Sequence, residues 1–231
     1  FATVSSVMRQ NPTALSGLIS QIGTRLSYTR QISYSNAAPD TMLSYFFALI
    51  AMACLYGGFW GMRNSIDVQA DLSPQGARRS VAPTHKLAVV VSDFAAGFVV
   101  HLAELLVLLA YLVFVLKVDL GDQTGYVLLV TIAGCVTGVS FGTLVGTLFR
   151  KSEGVKNAAL IGGSMLMSFL AGLMFVNMKD IIARTMPVLS YINPAALITD
   201  AFYSLYVFEN HDRYFLNLGL LVLISAAMCF A

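Results

Sequence analysis

Asp93, His101 and Glu104 lie inside one long apolar block, and their types and spacing are the first feature that calls for chemistry. At about 100° per residue, positions 93 and 104 fall on nearly the same line of a helix, with 101 beside them. A charge near the middle of a bilayer costs at least ~2.5–3.5 kcal/mol on insertion scales, so such residues face protein or water. Two roles fit. The three can relay a proton, as a proton-coupled secondary transporter requires. Alternatively, His101 and Glu104 form a neutral hydrogen-bonded pair one turn apart that holds this helix to its neighbours. The blocks that follow hold no second ionisable cluster to receive a proton. One His-x-x-Glu supplies too few ligands for a metal, and no metal site is expected. Cys54, Cys135 and Cys229 all fall in apolar blocks and read as inert buried thiols, not as a disulfide framework or a zinc site.

The loop 62–86 carries the other candidate chemistry, with Arg63, Arg78, Arg79 and Lys86. A chain that moves a substrate uphill needs an energy source, yet the sequence has no G-x-x-x-x-G-K-[ST] phosphate loop. A helix presenting Arg78 and Arg79 and stopped by Pro83 can dock into a separate ATPase as a rigid lever. The same charges also serve as topology markers facing lipid phosphates.

A third pattern is a stripe of Gly134, Gly138, Gly142 and Gly146. Glycine is a poor helix former in water, but close backbone contact through small residues is the usual means of helix association in lipid. The stripe is therefore read as a packing seam, with a substrate groove or a homodimer contact as alternatives. Ala159, Gly163, Ser164, Ser168, Ala171 and Gly172 of the next block are its expected mate.

The elements that must position these residues follow from composition. Of 231 residues 57% are hydrophobic and 11% charged, against about 25% charged in a soluble domain. A net charge of +2 without basic clusters interleaved with aromatics argues against nucleic acid. Five blocks approach the ~20 residues needed to cross a bilayer: 41–61, 87–116, 125–149, 158–176 and one starting near 214. Residues 1–40 are polar, with a short amphipathic helix expected over about 13–27. The stretch 177–213 reads as two short outer helices, interrupted at Pro187. Asn193 is the expected N-cap and Pro194 the first helical residue of the second. This stretch is either a lid over an exit or an anchor for the last span. Lysine and arginine are denser in 62–86 and 150–157 than in 117–124 and 177–213, which places the first two loops in the cytoplasm and residues 1–40 outside. This topology predicts a further span upstream, so the chain is expected to be a piece of a longer protein.

The order of these features, with "SPQGARRSVAPTHKLAV" after the first block and "SYINPAALITDAFYSLYVFEN" before the last, resembles the membrane permease of type-2 ABC exporters. The resemblance covers about 40–231, and rests on Gly76, Arg78, Arg79, Ala82 and Pro83 in the loop and on Asn193 and Pro194 before the last span. The acidic run that many members carry ahead of the proline is missing from "PQGARRSVAP". The resemblance implies an all-α polytopic membrane protein with five of six expected transmembrane helices, the permease domain filling 41–231 and 1–40 ending an extracytoplasmic loop. It implies coupling to an ABC ATP-binding subunit through Gly76, Arg78, Arg79, Pro83, His85 and Lys86. ATP and Mg would sit on that partner, with no cofactor in this chain. It further implies a second permease half, identical or paralogous, in the cytoplasmic membrane of a bacterium. Phe46, Phe47, Tyr56, Met165, Met167 and Phe169 are the expected substrate path, their Met and aromatic content suiting a drug, lipid or peptide. Gly163 joins the glycine stripe as a packing residue. A secondary transporter using Asp93, His101 and Glu104, or a non-transporting membrane receptor or scaffold, are the competing functions.

Overall fold

A computed structural model describes residues 41–69, 73–82, 85–118, 120, 123–149, 152–175, 177–207 and 211–230. The helix expected over 13–27, the rest of 1–40, and Pro83 lie outside the described residues. Every element among the described residues is a helix. α1 (Thr41–Tyr56) and α2 (Gly58–Val68) form one apolar span interrupted at Gly57. α3 (Pro74–Val81) is short; α4 (Lys86–Ala110) continues into a wider turn at Tyr111–Val115. α5 (Thr124–Leu148) and α6 (Glu153–Leu170) follow, then α7 (Asn177–Thr185), α8 (Pro187–Ile192), α9 (Pro194–Val207) and α10 (Asp212–Phe230).

Among the described residues, four helices are long and apolar enough to cross a membrane: Met42–Val68, Lys86–Val115, Thr124–Leu148 and Asp212–Cys229. The expected fourth block, 158–176, is helical only as far as Leu170 and belongs to α6, whose first turns bring in Glu153 and Lys156. α6 is not among those four. Its end is a Schellman cap: Gly172 takes φ 101°, and the N–H groups of Gly172 and Leu173 donate to the carbonyls of Phe169 and Ser168 at 3.0 and 3.1 Å.

α5 is the axis of the bundle. It touches α1, α2, α4, α6, α9 and α10, and a fully buried cluster of Phe47, Ile50, Leu55, Val130, Leu197, Ile198, Phe202, Tyr214 and Leu221 surrounds it. Its hydroxyls are satisfied locally: Thr131 and Thr137 donate to the carbonyls four residues back at 2.8 Å, and Thr137 also meets Ser225 of α10 at 2.7 Å. That arrangement keeps polar side chains in a medium without water to bond them.

The stretch 177–213 differs from expectation. It holds three helices, not two, and the third, α9, is buried from Pro194 through Thr199 against α1, α5, α6 and α10. Asn193 caps it: its Oδ1 accepts from Ala195 N–H at 3.0 Å while its Nδ2 donates to the Met167 carbonyl at 2.8 Å. The cap therefore also fastens α9 to α6.

Candidate functional site

The first span has two flanks, and each presents one of the sequence patterns. Toward α5 it presents glycines. A Cβ on Gly138 would collide with the Cys54 carbonyl, one on Gly142 with the Gly58 backbone, and one on Gly61 with the Val139 carbonyl. Gly134 lies on the Cys54 side chain, and Gly146 on Ser65, where a Cβ would stand 2.6 Å from the Ser65 Cβ. The seam thus joins α5 to α1–α2, which corrects the mate expected in α6. Backbones approach this closely only where at least one helix lacks a side chain at the contact. Gly163 has a different neighbour, the Phe141 ring, and connects α6 to α5.

Toward α4 the same span presents polar groups. The His101 ring is buried against Gly57, at the interruption of the span. Its Nε2 lies 3.1 Å from the Cys54 carbonyl and its Nδ1 3.1 Å from Glu104 Oε2. A carbonyl only accepts, so Nε2 is the ring nitrogen that donates to Cys54, and Nδ1 is the one that faces Glu104. Trp60 Nε1 donates to both Glu104 oxygens at 3.3 and 3.4 Å. Further along, Asn64 Nδ2 donates to the Asp93 carbonyl at 2.5 Å.

Asp93 does not join this pair. Its Oδ2 accepts from Arg79 Nη1 of α3 at 2.5 Å, so the three ionisable residues expected on one line divide between two sites. α3 is a built element, not a loose loop. Ser73 Oγ caps it by accepting from Gly76 N–H at 2.8 Å, Pro74 opens it, and Gly76 is packed against the Gln69 carbonyl. Arg78 faces outward, as do His85 and Lys86. Arg79 is thus the anchor of α3, and Arg78 is exposed on it. Beside α3, Gln69 Nε2 and Lys156 Nζ both donate to the Gly146 carbonyl, at 3.2 and 2.7 Å. Lys156 is fully buried, and burial pushes its ammonium below the ordinary lysine range while Glu153 pulls the other way. This buried link between α2, α5 and α6 carries no signal in the sequence, because a lysine near a helix start reads as a surface charge.

The residues expected to line a path do not share one surface. Phe47 is 1% exposed, stacked on Phe202 at 5.7 Å between ring centroids, within the core. Phe46 and Met167 pack on that core and Phe169 is half-buried. Tyr56 and Met165 are exposed, on the first span and on α6. Among the described residues no group of three or more His, Cys, Asp or Glu is placed to hold a metal ion.

Comparison with protein families matches residues 2–231 to the ABC-2 family transporter proteins. The chain belongs to that family. Neither the curated proteins nor the solved structures include a match. As an ABC-2 permease it is a multi-pass membrane protein and a transport component, and the family implies an ABC ATP-binding partner.

Proposed function

We propose that this permease is half of an ATP-driven exporter that moves a hydrophobic or amphipathic substrate across the cytoplasmic membrane of a bacterium. The loop after the first span, 69–86, faces the cytoplasm, not the whole of 62–86, since Met62–Val68 belong to that span; residues 1–40 face the outside. A separate or fused ABC ATP-binding unit holds ATP and Mg, and a second permease half, identical or paralogous, completes the path. The observation that carries this reading is α3. It is a capped helix with one basic side chain exposed, Arg78, and the next, Arg79, fixed to α4 through Asp93. A motor that closes on ATP would grip α3 through Arg78, with His85 and Lys86 beside it, and Arg79 would pass the displacement to α4. Gln69, next to the Gly76 turn, would pass it to α5 and α6 through the Gly146 carbonyl.

The test is co-purification. Full-length protein taken from native membranes is expected to bring down an ATP-binding partner, and Arg78→Glu is expected to release it while leaving the permease folded. Recovery of the partner unchanged with Arg78→Glu would remove α3 as the docking element.

A further inference from the structure

Glu104 is out of keeping with its surroundings. It sits well inside α4, among Leu102, Leu105, Leu106 and Val107, yet its side chain is 53% exposed. A carboxyl group at membrane depth is retained where it faces protein or a water-filled cavity. Its inner side is fixed by the buried His101 ring, which holds Oε2, and by the long, shared hydrogen bonds from Trp60. A carboxyl group offers about four lone-pair sites, and those directed away from His101 and Trp60 are open. Trp60, which touches the carboxyl, is exposed on the first span, as are Phe59 and Tyr56, edge to face with each other at 5.8 Å.

An oriented carboxyl acceptor set in apolar surface is the chemistry that recognises an ammonium group on an apolar body. The N–H groups reach the carboxyl oxygens, and the hydrocarbon stays in the apolar surroundings. We propose that the open flank between the first span and α4 is a recognition site for the head group of an amphipathic amine. Glu104 is its acceptor, held in place by Trp60 and His101. This rests on the export reading for its purpose and narrows the substrate class to amines. His101 is a positioning residue: it touches Glu104 and the first-span backbone, and it sets the carboxyl orientation.

Trp60 is the sole tryptophan of the sequence and touches the acceptor, so its emission reports occupancy without any export step. The full transporter in lipid nanodiscs is titrated with dodecylammonium and, in a parallel series, with dodecanol. A Trp60→Phe blank isolates the Trp60 contribution. A saturable change with dodecylammonium and none with dodecanol is expected. Glu104→Gln, which keeps an acceptor for the indole, should weaken binding at least tenfold, and Glu104→Asp should recover part of it. Equal responses to the two ligands, no saturable response, or a midpoint unmoved by Glu104→Gln each overturn the site. ATP-dependent export of dodecylammonium is measured on the same preparations. Binding intact with no export strikes the exporter reading alone, whereas export intact with Glu104→Gln strikes the amine site alone.

Discussion

The two flanks of the first span are built from opposite materials. Against α5 the contact is backbone on backbone, with Gly58 and Gly61 meeting Gly138, Gly142 and the Val139 carbonyl. Against α4 it is a series of side chains: His101 on the Cys54 carbonyl, Trp60 on Glu104, Asn64 on the Asp93 carbonyl, and Arg79 closing the series from α3. A glycine seam has one register, because any slide brings a side chain into a backbone. A row of hydrogen bonds can exchange partners through a small rotation of each side chain. The first span is therefore welded to α5 along its glycines and hinged on α4; on the α5 side, Ser65 and Gln69 add side-chain bonds to α5 carbonyls only at the end of the seam. The seam is the fixed side.

The weld is the easier flank to break. Gly142→Leu drives a side chain into the Gly58 backbone, beyond the ~1–3 kcal/mol of ordinary overpacking, and is expected to abolish the monodisperse folded protein in size-exclusion chromatography. Gly162→Leu is the matched control, since a Cβ there meets nothing within 4 Å, and it should leave the profile intact. If both variants behave alike, the seam is no weld. On the hinged flank, His101→Ala strips a buried partner from the Cys54 carbonyl and opens space beside Gly57. A loss of about 1–3 kcal/mol is expected, read as a lowered Tm with the fold retained. A collapse as complete as that of Gly142→Leu would erase the distinction between the flanks.

The smallest expected effect sharpens the account at the end of the weld, where Lys156 donates to the Gly146 carbonyl. Burial lowers the Lys156 pKa in the folded state, so its charged form is disfavoured by folding. The stability linked to this group is lost as pH falls through the folded pKa. Lys156→Met removes the buried cation while Gln69 still donates to Gly146. It is expected to raise Tm slightly at pH 7, with the gain narrowing as pH rises toward the ordinary lysine range. A gain that grows with pH contradicts the sign.

Much of this was legible in the residues. The glycine stripe, the Asn193 cap and the basic helix after the first span are local signals, each set by a few neighbouring positions. The mate of the seam was missed although Gly57, Gly58 and Gly61 stood in the first apolar block; several helices offered small residues, and spacing alone does not rank them. Asp93 was grouped with Glu104 because both fall on one helical line. Eleven residues at 1.5 Å of rise separate them by about 16 Å, and Arg79 from another element occupies the gap in specificity. α9 read as an outer helix because Asn193, Thr199 and Asp200 dilute its hydropathy. Its burial depends on the Met167 carbonyl and on Lys179 of α7 pairing with Asp200, partners that sequence order does not reveal.

The central claim is that α3 drives the hinged flank through Arg79 and Asp93. The most direct measurement is ATP-dependent export by the complete transporter carrying Arg79→Glu, alone and together with Asp93→Arg. A partly exposed ion pair contributes only about 1 kcal/mol to stability, so both proteins should fold and hydrolyse ATP. The account predicts that export falls at least tenfold with Arg79→Glu and returns in the charge-swapped double variant. Export undiminished by Arg79→Glu, or lost equally in both, would contradict it.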